Sequence, residues 1–174
     1  MLNTAIVGAG PYGLSIAAHF RRGGIPFRIF GRPMDSWLAH MPKGMMLKSD
    51  GFASNIYDPD NAFTLKQFCA ERGIEYADAG SPVRLETFAT YGLAFRDRMV
   101  PELEDKLVVS LDRLPDGFRL QLEDGETLQA RTVVLAVALP TLNMFRRTWH
   151  TCRRSFFPTA LAITRLSRFE AAVW

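Results

Sequence analysis

The segment Thr4-Ala5-Ile6-Val7-Gly8-Ala9-Gly10-Pro11-Tyr12-Gly13-Leu14 sets a short apolar strand directly against a G-x-G-x-x-G turn, with an apolar helix pattern opening behind it. Strand, glycine turn and helix in that order form a dinucleotide-binding fingerprint. Gly8 is expected to make the tight turn out of the strand. Gly10 lets the backbone approach a pyrophosphate, and Gly13 lets the helix pack closely on the strand. Pro11 and Tyr12 lie inside the turn and are counted with it as candidate cofactor-binding residues. The free N–H groups of the helix N-terminus then face the phosphates. Leu14, Ile16, Ala17, Ala18 and Phe20 continue the helix, and Gly23-Gly24 ends it. Three glycines cost a strand and a helix conformational entropy that a bare structural turn has no reason to spend.

Pro26-Phe27-Arg28-Ile29-Phe30 reads as a second buried strand. The fingerprint expects an acidic residue for the ribose hydroxyls about 20 residues beyond the glycines, and Gly31 occupies that place. Arg32 follows, with two readings open: a solvated charge at a strand end, or a cation over the adenine or phosphate edge of the ligand. Residues 33–62 form a long stretch without a clear period, rich in Trp, Met and Leu. Its composition predicts a packed loop walling a pocket rather than a disordered one.

Thr64 predicts the cap of a helix over Leu65 to Arg72, stopped by Gly73. A second helix is expected from near Pro82, with Leu85, Phe88, Gly92, Phe95 and Met99 on one face. Strands follow at Leu107 to Leu114, at Phe118 to Glu123 after a Pro115-Asp116-Gly117 turn, and at Thr127 to Ala130 after Asp124-Gly125, a three-stranded meander. Thr132-Val133-Val134-Leu135-Ala136-Val137 is a continuous apolar run, as expected of a further strand buried on both faces of a parallel sheet.

At 174 residues and 48% hydrophobic content the chain can bury one good core. No run reaches transmembrane length, and the fingerprint strand starts at residue 4, which leaves no room for a signal peptide and predicts a cytoplasmic protein. Cys69 and Cys152 are too few and too far apart for a disulfide framework. With His19, His40 and His150 they offer no metal-ligand spacing either.

The order strand, helix, strand, long loop, helices, meander, buried strand resembles the FAD-binding domain of flavoproteins with two dinucleotide sites. It departs from the alternating strands and helices of a nicotinamide-binding domain. The glycine run, Ser36-Trp37 after the second strand, Asp58-Pro59 with Phe63-Thr64-Leu65, the Phe88, Tyr91 and Phe95 helix, and Thr132-Val133-Val134-Leu135-Ala136 resemble the flavin-dependent monooxygenases of the flavin-containing and N-hydroxylating type. The resemblance covers roughly residues 3 to 137. It implies an α/β, Rossmann-like FAD-binding domain with a parallel sheet and a three-stranded β-meander over residues 1–137, incomplete at its C-terminal side.

By the same resemblance Gly8, Gly10 and Gly13 contact the FAD pyrophosphate, and Val108 meets the adenine through its backbone. The loop from Trp37 to Ser49, carrying Trp37 and Lys48, lies near the flavin ring. Family members reduce FAD with NADPH and hydroxylate a small organic substrate. Here Gly31 lacks the ribose carboxylate, Ala138 stands in place of a family glycine, and no glycine follows Gly125, so a second fingerprint for NADPH is missing from these residues. Two functions are therefore carried forward: an FAD-dependent monooxygenase-like oxidoreductase, and a non-catalytic dinucleotide-binding module or inactive remnant of one.

Residues 1–137 hold fifteen Lys and Arg against seventeen Asp and Glu, whereas residues 138–174 hold six Arg and one Glu. The basic tail has no nucleic-acid motif and no clean amphipathic period, so neither a nucleic acid nor a membrane is expected as a partner. Two origins are weighed for it, the out-of-frame translation of a damaged gene and an evolved basic helix over Thr159 to Val173. An out-of-frame tail is expected to pack poorly and to leave the edge of the last strand exposed. On that first origin, another reading frame downstream of codon 137 encodes a glycine-rich second fingerprint. Inspection of the coding DNA checks it, and a DNA without such a frame overturns it.

Overall fold

Backbone pairing orders the described chain around its first strand. The computed structural model describes residues 1–137 and, as backbone only, residues 162–164. Strand β1 (Leu2–Val7) leads through the glycine turn into helix α1 (Pro11–Arg22) and strand β2 (Phe27–Phe30). Helices α2 (Asp35–Ala39), α3 (Leu65–Arg72) and α4 (Leu85–Met99) follow, then strands β3 (Val108–Leu114), β4 (Gly117–Leu122) and β5 (Thr127–Leu135). The sheet order is β2-β1-β5-β4-β3. β1 pairs in parallel with β2 and β5, and β3–β4–β5 is antiparallel throughout.

The two faces of β1 are covered by different material. Ile6, with Ile29 and Val134, packs into a cluster with Leu14 and Ala17 of α1 and Phe88, Tyr91 and Phe95 of α4. Ala5 and Val7, with Phe30 and Val133, join a second cluster with Val108, Leu111, Phe118, Leu120 and Leu128 of the meander. Because successive strand side chains point to opposite faces, helices cover one side of the parallel strands and the meander curls over the other.

This arrangement corrects one sequence expectation. Thr127 to Ala130 and Thr132 to Val137 are not separate strands, because β5 runs unbroken from Thr127 to Leu135. Its first half pairs with β4 (Phe118 with Ala130, Gln121 with Thr127) and its second half with β1 (Ala5 with Val133, Val7 with Leu135). No turn-forming residue lies between Ala130 and Thr132, and one β-strand passes from a surface alternating between buried and exposed to one covered on both sides. The edge of β5 is also paired: Val133, Val134 and Leu135 lie antiparallel to Thr164, Ile163 and Ala162 of a short strand β6 (Ala162–Thr164). At those three residues a strand stands where one of the two weighed origins has a helix, and it pairs the part of the edge that the other leaves exposed. The remaining expectations for the tail, including the place of Ala138, lie outside the described residues.

The stretch 33–62 is more regular than its sequence predicts, since α2 and a 3-10 turn at Gly51–Ala53 interrupt it. Two buried polar groups hold it. The Asp58 carboxylate, 4% exposed, accepts from the amides of Asp60 (3.1 Å), Ala62 (2.9 Å) and Phe63 (3.2 Å). The Tyr91 hydroxyl on α4 donates to Phe63 O at 2.8 Å and accepts from Ile56 N–H at 3.3 Å. Thr64 then caps α3 in a reciprocal capping box with Gln67, and Gly73 closes it in the left-handed conformation. Removing the hydroxyl in Tyr91→Phe leaves the Ile56 amide and the Phe63 carbonyl buried without that partner. The expected loss is about 1–3 kcal/mol of unfolding free energy, read as a lower urea midpoint at unchanged slope.

Candidate functional site

The site is built where the C-terminal ends of β1, β2 and β5 meet the start of α1. Gly8 N–H donates to Phe30 O at 2.8 Å, and Ala136 N–H donates to Val7 O at 2.8 Å, so the turn is clamped from both sides. Gly8 has φ +115°, and a Cβ there would stand 2.2 Å from Ala136 O. At Gly13 a Cβ would lie 1.9 Å from Gly8 O, so helix and turn touch through bare backbone. The fold itself accounts for both of these glycines.

Gly10 differs from them. Its backbone is extended (φ −79°, ψ −176°), a conformation open to any residue, and a Cβ on it would meet nothing within 4 Å. Gly10 is the N-cap of α1 and Pro11 fills its first position. The amides of Ala9, Gly10, Tyr12 and Gly13 have no acceptor among the described residues. The Tyr12 side chain is 73% exposed beside them. These donors, together with the positive end of the helix dipole, form an anion cradle.

The end of β2 presses on the same turn. Gly31 has φ +143°, and a Cβ there would lie 2.9 Å from Ala9 N and 3.3 Å from Gly8 Cα. A side chain at position 31 would be strained on this backbone and would force β2 away from the turn. Met34, fully buried with φ +56°, donates its amide to Ala9 O at 3.0 Å. It packs so tightly on α4 that a Cβ at Gly92 would stand 2.5 Å from its sulfur.

The other sequence-predicted residues divide. Arg32 is exposed, and its guanidinium contacts the Glu123 carboxylate at 3.4 Å. Trp37, half-buried on α2, packs edge-on against Phe88 at 4.7 Å between ring centres and is tied to the turn through Met34, whose carbonyl accepts its amide. Lys48 is exposed and has no hydrogen-bond partner among the described residues. Val108 starts β3 with its side chain buried in the meander cluster. Its neighbour Leu107 donates its amide to Glu123 Oε1 at 3.1 Å and accepts from Glu123 N–H at 2.9 Å. Arg32 and the strand that starts at Val108 therefore converge on one carboxylate.

That convergence depends on charges the sequence reading passed over. Glu104 pairs with β2 as an isolated bridge to Phe30, its carbonyl accepting from Gly31 N–H at 3.2 Å. Its carboxylate is gripped by Arg28 (Nε–Oε1 2.6 Å, Nη2–Oε2 2.7 Å). Arg28 also holds Glu126 (Nη1–Oε1 2.8 Å), and Lys106 holds Asp124 at 2.7 Å. The hydrogen bond from Arg28 keeps the Glu126 carboxyl below its ordinary value of 4.5, and that from Lys106 keeps Asp124 below 3.8. No long-range signal in one sequence pairs Arg28 with Glu126. No cluster of His, Cys, Asp and Glu suited to a metal occurs among the described residues, and none of their helices is long and apolar enough to cross a membrane.

No family model and no curated protein matches the chain. Solved structures do match its fold. A bacillithiol disulfide reductase from Staphylococcus aureus superposes with TM-score 0.62 at 18% identity, over 79% of this chain and 38% of the reductase. A flavin-containing monooxygenase from Stenotrophomonas maltophilia gives 0.61 at 21% identity, over 78% of this chain and 38% of that one. A lysine monooxygenase from Nocardia farcinica gives 0.62 at 19% identity, over 75% and 42%. The chain thus has the fold of a part of these enzymes and spans less than half the length of each.

Because the folded-state values of Glu126 and Asp124 are depressed, the network's stabilisation is present above their unfolded values and lost as pH falls through the folded ones. Arg28→Met is expected to lower the urea midpoint at about pH 6 and to make a much smaller difference at about pH 3. An equal difference at both pH values overturns this account of the docked meander.

Proposed function

We propose that residues 1–137 bind FAD as the dinucleotide domain of a monooxygenase-type oxidoreductase. The carrying observation is Gly10. The fold requires Gly8 and Gly13, yet no described residue occupies the space a side chain at Gly10 would take, and an anion cradle opens beside it. A pyrophosphate lying against that backbone supplies the reason for the glycine. The fold likeness to flavin monooxygenases and a disulfide reductase supports an FAD-binding oxidoreductase.

In this reading Ala9, Gly10, Tyr12 and Gly13 donate their amides to the pyrophosphate, and Gly8 sets the direction of the turn. The loop from Trp37 to Ser49 shields the flavin side of the site, with Trp37 braced on Phe88. When bound, FAD supplies two-electron redox and oxygen chemistry, which in a monooxygenase ends in hydroxylation of a small organic substrate. The chain's own part is to bind, orient and exclude water. Leu38, Met41, Met46, Phe52 and Tyr57 leave apolar side chains exposed along residues 35–57, a surface suited to a small-molecule substrate or to the rest of a larger enzyme. The second reading, a dinucleotide-binding module without turnover, draws on the lack of any glycine after Gly125 and hence of a second fingerprint in these residues.

The purified chain is expected to carry the yellow absorption of oxidised flavin. Gly10→Val places a branched side chain in the cradle and should abolish flavin retention with little change in thermal midpoint, since its Cβ meets no protein atom. NADPH added anaerobically should leave bound flavin oxidised, because hydride transfer needs the reacting atoms held at about 3–3.5 Å, while dithionite should bleach it. Equal flavin retention by variant and parent overturns the assignment.

A further inference from the structure

The ribose end of the site lacks its customary carboxylate, and the backbone shows why: Gly31, at φ +143° and packed on Ala9 N, tolerates no side chain. The adjacent residue, Arg32, reaches a carboxylate from elsewhere in the chain. Arg32 Nη2 lies 3.4 Å from Glu123 Oε2 at the turn between β4 and β5, and the Leu107 amide donates to Glu123 Oε1 at 3.1 Å. Glu123 is further anchored through its own backbone, whose N–H donates to Leu107 O at 2.9 Å. Its side chain is only 35% exposed, and Arg32 remains 53% exposed beside it. Each carboxylate oxygen thus has one protein donor in place and capacity for another.

Resting on the dinucleotide reading above, we infer that Glu123, held by Arg32 and the Leu107 amide, replaces the acid missing at Gly31 and accepts the adenosine ribose hydroxyls of the bound dinucleotide. The sequence hides this, because Glu123 stands 92 positions beyond Gly31 and belongs to the meander. Arg28 of β2 on Glu126 and Lys106 on Asp124 dock the turn that carries this carboxylate. Arg32 is then a positioning residue, an exposed cation at a strand end that orients the group reading the ligand.

The test compares ADP with 2′,3′-dideoxy-ADP on the full chain freed of flavin, by calorimetric titration. The parent should prefer ADP by about tenfold, the usual consequence of a hydrogen bond to a charged acceptor. Glu123→Ala should remove that preference by weakening ADP while leaving the dideoxy compound unchanged. Glu123→Gln, which keeps an acceptor for the Leu107 amide and so preserves the fold, should reduce the preference severalfold and decides the matter if the Ala variant does not fold. Equal binding of the two nucleotides by the parent, or an unchanged preference in the variants, overturns the role of Glu123 and leaves the dinucleotide reading standing. Failure of the parent to bind either nucleotide or FAD overturns both.

Discussion

Three strand ends and one helix start converge on a backbone that has no room for side chains, and the remainder of the structure is arranged to permit that approach. Gly8 N–H is tied to Phe30 O, Val7 O is tied to Ala136 N–H, and Gly13 lies against Gly8 O. Each contact puts main chain against main chain, so β1, β2, β5 and α1 are placed by hydrogen-bond geometry rather than by adaptable side chains. Interiors packed near crystalline density respond to a single added methyl group. An alanine at Gly8 or Gly13 is therefore a fold-breaking change, whereas one at Gly10 meets nothing. Fold and ligand cradle share a turn of six residues, Gly8 to Gly13, but depend on different members of it.

The second organising element is the covering of the parallel strands on both faces. Helices on one side need only the stripe formed by Leu14, Ala17, Phe88, Tyr91 and Phe95. The meander on the other side has to curl back over β1 and β2, which brings a turn rich in acid, Glu123-Asp124-Gly125-Glu126, beside Arg28 and Arg32. Burial alone tolerates sliding of one apolar surface on another. The bidentate grip of Arg28 on Glu104, with Glu126 as its second partner, fixes where the meander stops. The Arg28 guanidinium also lies 4.9 Å above the Phe30 ring, so the same cation is braced on the strand that ends at the glycine turn.

Local signals made much of this legible. The glycine turn, α1, the Thr64 cap with α3 and the β3–β4 hairpin all carry their causes within a few residues: spacing of apolar positions, a capping box, a turn with Gly117. The misreadings arose where the cause was distant. Whether Ala130 and Thr132 belong to one strand depends on β1 offering a parallel edge just where β4 ends. The stretch 33–62 takes its order from Tyr91, a residue on another element, and from a carboxylate at Asp58 that works through backbone amides. The sequence singles out Arg32 and Val108 separately, but Glu123, which contacts Arg32 and Val108's neighbour Leu107, reads in sequence only as the end of an alternating strand.

The ribose role inferred for Glu123 has an energetic consequence. In the usual fingerprint the glycine turn and the acid lie on adjoining strands of one βαβ unit, and a ligand bound there stabilises little beyond that unit. On that inference, a dinucleotide held by the amides of Gly10 and Gly13 at one end and by Glu123 at the other would bridge the βαβ unit and the meander turn. A ligand that binds only the docked arrangement stabilises that arrangement in proportion to the logarithm of its concentration over its dissociation constant. The acidic turn at 123–126 crowds three carboxylates on four residues and is held by Arg28, Arg32 and Lys106. On the same inference, cofactor binding and meander docking are coupled through one side chain. A glycine at position 31 is then also reconciled with ribose recognition: a side chain there would force β2 away from the turn, while the docked meander offers a carboxylate beside Arg32.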